Sequence, residues 1–201
     1  MDKDVIDWEC DSEDYQSDDS DINFIPGYMI ECSESGKKRL ELQEKLGKRL
    51  DGSVKVDEWC QCGNCDVTLL VNNNECHCCF ELDGCHEAMK SDEVISDLQA
   101  EGIINAKCII QHPGFNSVCL EKWSLKMAAS KLKTKNKSKY TRISGQNSFL
   151  RSISYREFTR LVYGLLGNRR FPLPACAYMA IRKTFPVVDK ENFTGYSDDS
   201  D

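Results

Sequence analysis

Cys60-Gln61-Cys62-Gly63-Asn64-Cys65 places three thiols within six residues; eleven residues after Cys65 comes Cys76-His77-Cys78-Cys79, and then Cys85. Thiolate and imidazole are the ligands that tetrahedral structural zinc prefers, and Cys-x-x-Cys is the spacing that lets two sulfurs reach one ion. Gly63 eases the tight turn that such a loop needs. Two clusters this close together predict a zinc site. A redox Cys-x-x-Cys is the first rival, but that motif opens a helix in a thioredoxin-like βαβ setting, and no strand pattern precedes Cys60. Disulfide stapling is the second, and spacing alone leaves an iron–sulfur cluster open. Cys108, Cys119 and Cys176 stand alone farther along, while Cys10 and Cys32 lie in or near the N-terminal tail and read as free thiols.

The compartment weighs between these chemistries. Twelve cysteines in 201 residues is a high count. The first residues, Met1-Asp2-Lys3-Asp4, lack the basic-then-apolar layout of a signal peptide, and no run of apolar residues is long enough for a membrane span. The expectation is therefore a cytoplasmic or nuclear protein without a membrane span, where thiols stay reduced and serve metals or catalysis. Catalysis has little else to work with. The three histidines, His77, His86 and His112, all lie in or beside the cysteine-rich region, and no nucleophile–base–orienter set is visible. The chain reads as a non-enzyme.

Helices must position these thiols. Leu40, Leu42, Leu46 and Leu50 fall mostly on one face of a helix expected over 36–51, capped by Ser33 or Ser35 and followed by Gly52. Residues 91–102 read as a second helix, with Val94, Ile95 and Leu98 apolar and Gly102 at its end. After His112-Pro113-Gly114 a third is expected over about 115–132, with Phe115, Val118, Cys119, Trp123 and Met127 as its apolar face. A fourth runs from about Ser154 to Gly167 with Phe158, Leu161, Val162 and Leu165 on one side, and a last one from Ala175 to Phe185, stopped by Pro186. The fold class is mainly α: one helix-rich domain around an irregular cysteine-rich segment, flanked by acidic tails.

Charge is strongly segregated. Residues 1–21 carry a net −9 and residues 189–201 a net −4, which leaves +6 for residues 22–188 in a chain of net −7. Asp- and Ser-rich sequence of this kind cannot bury enough apolar surface to order itself. A disordered tail is expected over 1–30, a domain over 31–196 and a second tail over 197–201. Ser17-Asp18-Asp19-Ser20-Asp21 recurs as Ser197-Asp198-Asp199-Ser200-Asp201, with serines placed for acid-directed phosphorylation. Between Glu121 and Glu157 there is no acidic residue but ten Lys or Arg.

Several motifs follow one order: Trp59-Cys60-Gln61-Cys62-Gly63-Asn64-Cys65, Glu75-Cys76-His77-Cys78-Cys79, Cys108 to Phe115, Leu173-Pro174-Ala175-Cys176, Ile181 to Pro186, and Phe193-Thr194-Gly195-Tyr196. That order resembles the intracellular C-terminal ballast domain of the ATP-gated P2X purinoceptor, subtype seven, and the stand-alone proteins that carry the same domain, over roughly residues 36–196. The resemblance implies a binuclear zinc centre with Cys60, Cys62, Cys65, Cys78, Cys79, Cys108 and Cys176 as ligands, one of them bridging two zinc ions. Cys76, Cys85 and Cys119 are not needed by this set, and Cys119 is expected in the core. It implies neither a channel pore nor an extracellular ATP site. The receptor domain also holds a guanine nucleotide. Of the matching positions Arg151 and Tyr155 are kept, but Ser152 replaces a histidine, Tyr178 an arginine and Val187 a lysine, so guanine nucleotide is disfavoured.

Two functional readings result. The first is a zinc-binding scaffold or protein-interaction module of unidentified partner. The alternative is nucleic-acid or anion binding through the basic region 122–156.

Overall fold

The computed structural model describes residues 26–131, 145–164 and 171–186, with side chains from residue 36 onward. Residues 1–25 of the expected N-terminal tail, the expected C-terminal tail, the lysine-rich sequence 132–144, Leu165 and the Phe193–Tyr196 motif lie outside the described residues, whereas residues 26–30, expected as tail, begin a helix. The chain divides into two compact units, 1–38 and 39–201. The described part of the first is the beginning of helix α1; the packing and the site described below belong to the second. The described residues are helix-rich and contain no strand.

α1 spans Pro26–Leu50. It starts ten residues before the expected position, with Ser33 and Ser35 inside it rather than capping it. Proline is well suited to a first helical turn because its missing N–H needs no partner there. Leu46 is fully buried, and Leu42 and Leu50 pack beside it, whereas Leu40 is 70% exposed and belongs to the solvent side. After Leu50, Gly52 adopts φ 81, the left-handed conformation that ends a helix cheaply only at glycine.

Short elements follow: α2 (Val56–Trp59), 3₁₀ turns at Asn73–Glu75 and Cys79–Glu81, α3 (Asp83–Met89) and α4 (Asp92–Ala100). Ser91 caps α4 by accepting from Val94 N–H at 3.3 Å, and Gly102 at φ 76 follows its end.

The third expected helix is broken in two. A 3₁₀ turn at Ile109–Gln111 leads into α5 (Pro113–Phe115), a wide π-type turn over Asn116–Leu120, and then α6 (Lys122–Lys131). Glu121 N–H reaches back to Asn116 O at 3.0 Å, and Glu121 itself is extended at φ −75, ψ 115. That turn rotates the helical register. Cys119 stays in the core as expected, but α6 buries Leu125 and Ala129, leaving Trp123 66% and Met127 68% exposed.

α7 runs Gln146–Tyr163, starting eight residues earlier than expected, and α8 covers Ala175–Thr184. Phe115, Leu125, Leu150, Ile153, Phe158 and Ile181 form the main core, with Phe115 and Phe158 edge-to-face at 6.2 Å between ring centres. Ser154 Oγ donates to Cys119 O at 2.5 Å, tying α7 to the π turn.

Candidate metal centre

Four segments deliver sulfur to one place. α2 ends at Trp59, whose ring is 6% exposed and anchors the chain as it leaves for Cys60. Gly63 at φ 76 folds the Cys62–Cys65 loop back on itself, and Asn64 Nδ2 donates to Cys62 O at 3.0 Å. Cys78 and Cys79 sit at the start of one 3₁₀ turn and Cys108 just before another. In both turns a side chain three residues ahead accepts the leading backbone N–H: Glu81 from Cys78 at 2.9 Å and Gln111 from Cys108 at 3.0 Å. This is the backward-reaching half of a capping box, and it holds each thiol's backbone in place. Cys176 is the second residue of α8, and Ala175 N–H donates to His77 O at 2.8 Å, which pins the start of that helix to the Cys76–Cys79 segment.

The sulfurs fall into two sets of four, Cys60–Cys62–Cys65–Cys78 and Cys62–Cys79–Cys108–Cys176, each with all its sulfurs within 4.8 Å of one another. Cys62 belongs to both. The Cys60–Cys62 and Cys62–Cys65 sulfurs are 3.6 Å apart and Cys79–Cys108 4.0 Å. A disulfide needs about 2.05 Å, and all ten cysteines whose side chains are described, Cys60 to Cys176, are free. Four thiolates on a tetrahedral ion at a metal–sulfur length of about 2.3 Å stand about 3.8 Å apart. The donor set and its spacing therefore fit two metal ions sharing one sulfur. Every oxygen or nitrogen alternative is absent from both sets, and soft thiolate donors of this kind select zinc, copper(I) or iron–sulfur chemistry.

Hydrogen bonds from Cys108, Cys176, Cys65 and Cys78 drive the Cys62 thiol far below its ordinary range. Cys79 and Cys176 are pushed up, chiefly by their neighbour Cys108. Cys62 is the sulfur that has all six others of the two sets within 4.8 Å. The remaining buried thiols are different: Cys76, Cys85 and Cys119 are each pushed up to about 12 by burial and remain neutral. They lie in neither set. The same holds for the histidines. His112 accepts from Gly114 N–H through Nδ1 at 3.0 Å and caps α5, and burial lowers His77.

Two ion pairs brace the cluster, one partly and one fully buried, and the sequence alone does not reveal either. Arg49 of α1, 3% exposed, grips Glu81 with both terminal nitrogens at 2.6 and 2.7 Å, donates to Cys76 O at 2.9 Å, and lies 4.8 Å from the centre of the Trp59 ring. Glu81 is the carboxylate that holds Cys78 N–H, so one guanidinium orients both ends of the first set. Arg182 of α8 pairs with Glu75 at 2.6 and 2.7 Å, both side chains fully buried, and also donates to Leu69 O. The signal available was an acid or amide three residues after a cysteine, as in Cys78-Cys79-Phe80-Glu81 and Cys108-Ile109-Ile110-Gln111.

The two positions considered for a nucleotide are engaged within the fold. Arg151, 5% exposed, donates to Phe185 O at 2.8 Å and links α7 to the end of α8. The Tyr155 hydroxyl accepts from Arg182 Nε at 3.1 Å, and its ring meets Tyr178 edge-on at 5.2 Å.

Fold and site together define a helical, cysteine-rich chain with two overlapping four-cysteine sets that could hold metal ions. No protein family, curated protein or solved structure matches the chain. No helix among the described residues is long and apolar enough to cross a membrane.

Proposed function

We propose that this chain is a zinc-stabilised intracellular module, akin to the purinoceptor subtype-seven ballast domain, that serves as a scaffold or protein-interaction domain rather than an enzyme. The single observation that carries this reading is the sharing of Cys62 between two four-sulfur sets. Zinc would be held by Cys60, Cys62, Cys65 and Cys78 in one set and by Cys62, Cys79, Cys108 and Cys176 in the other. Its contribution there is structural, because four protein sulfurs complete a tetrahedron and leave no position for water or substrate. The cluster also sits where a fold-stabilising ion does most: it joins the 60–65 loop, the turns at Cys78–Cys79 and Cys108, and the start of α8, which are far apart in sequence.

Structural zinc in small sites supplies about 10–16 kcal/mol of apparent binding energy, so metal and folding should be inseparable. The test is metal analysis of the purified chain together with melting in the presence of a strong chelator. About two zinc ions per chain and loss of the folded state on chelation are expected. Less than about one zinc per chain, or an unchanged melt, would overturn the reading.

A further inference from the structure

The solvent face of α6 carries chemistry that the metal centre does not use. Leu125 and Ala129 fix one side of the helix in the core. At helical spacing, the opposite side is centred on Trp123 and Met127, one turn apart and about two-thirds exposed, with Lys131 at its end and Lys126 along its flank. Lys126 Nζ lies 4.3 Å from the centre of the Trp123 ring. An exposed Trp–Met pair is costly to leave in water, and every charged residue of α6 itself is a lysine. The nearest acid in sequence, Glu121, precedes the helix, and none follows until Glu157.

We propose that this face of α6 docks on an anionic lipid membrane surface. Complementarity of charge and of polarity both support it. A helix lying in the interface puts tryptophan and apolar side chains at the headgroup boundary while lysines reach outward to anionic headgroups. Lysine beside the apolar stripe of an interfacial helix adds electrostatic attraction to anionic lipid, and α6 carries Lys126 and Lys131 there, with Lys122 at its start. A nucleic acid would use the same cations, but it has no use for Met127. One face of the Trp123 ring is also already taken by Lys126, where a base would stack. The proposal is independent of the metal reading, since neither four-sulfur set includes a residue of α6.

The test is sedimentation of the full chain with vesicles of phosphatidylcholine alone, and with about 30% phosphatidylserine added, at low and raised salt. Binding to the anionic vesicles only, weakening with salt, is expected. Replacing both apolar residues (Trp123→Ala with Met127→Ala) should lower the bound fraction about tenfold or more, and Lys126→Glu should lower it too. The tryptophan emission should shift to the blue on binding, and this shift should vanish in Trp123→Ala. All three positions are exposed, so an unchanged melting temperature confirms that the variants fold. Equal binding to neutral and anionic vesicles, native-like binding by the double variant, or capture of a single-stranded oligonucleotide without vesicle binding would each overturn the proposal.

Discussion

Replacing Arg182 with methionine isolates what holds α8 against the cluster. Arg182 and Glu75 are both fully buried and joined by two hydrogen bonds of 2.6 and 2.7 Å, and the guanidinium also satisfies Leu69 O. Methionine keeps the volume of the side-chain stem but strands a carboxylate in the interior. Breaking one partner of a buried pair costs about 3–5 kcal/mol, mostly the penalty of the charge left behind. In a chain of this size each kcal/mol lowers the melting temperature by about 2–4 °C, so a fall of about 6–20 °C is expected. Adding Glu75→Gln removes the stranded charge yet keeps an oxygen for Val71 N–H, which Glu75 accepts at 2.9 Å. The double variant should therefore be more stable than Arg182→Met alone, and a double-mutant cycle measures the coupling. Cys176 lies six residues before Arg182 on the same helix, so the set containing Cys176 should bind metal more weakly, with a smaller loss at the other set, which shares only Cys62 with it. A single variant melting within about 2 °C of the native chain would refute the reasoning, as would a double variant less stable than the single.

Cysteine replacements should sort by set: Cys176→Ser should lose one metal ion by metal analysis, Cys62→Ser both, and Cys119→Ser neither. Gly84→Ala should destabilise the fold by about 1–3 kcal/mol, because the added methyl would come 2.0 Å from a ring carbon of Tyr163, which stacks on Phe171 at 4.6 Å; chemical denaturation measures it. Burial lowers the pKa of His112 from its ordinary 6.5. The unfolded chain therefore takes up the proton first, and the stability His112 contributes as a neutral cap is present above pH 6.5 and lost as pH falls through its folded-state value. In His112→Asn, which keeps a capping acceptor but does not titrate, that part of the pH dependence of the melting temperature should disappear.

The parts of the site legible in the sequence are those with short-range spacing. Cys60, Cys62 and Cys65 announce a metal loop by themselves because three sulfurs in six residues leave few geometries open. Cys176 has no local signal, and only the order of motifs in the resemblance places it with the others. Arg49, Glu75, Glu81 and Arg182 were invisible for a different reason. A charged residue on a helix is ordinarily solvated, and nothing local shows that its partner lies 32 or 107 positions away. Helix positions were read well where Ser91, Gly102 and Pro186 mark the ends. They were misread at Trp123 and Met127 because periodicity continues smoothly through a sequence whose backbone widens at Asn116–Leu120. A turn closed by a five-residue step shifts every later side chain, and no residue there advertises it.

The two sets differ in what they demand of the rest of the chain. The first is complete within residues 60–78, so it requires closure of one short loop, braced by Arg49 and Glu81. The second cannot form until residues 62, 79, 108 and 176 meet, which requires α3 to α7 to be folded and α8 to be docked. Closing longer loops adds entropy cost only slowly, but each added closure needs contacts that outlast it. Those contacts are visible as the bond from Ala175 N–H to His77 O and the Arg182–Glu75 pair, one at the start of α8 and one two turns along. They bring Cys176 to the other three sulfurs of its set, so binding at the second set reports on the whole domain, whereas binding at the first reports on one loop. Sharing Cys62 joins the two reports: a change that loosens α8 is felt at the sulfur on which the first set also depends.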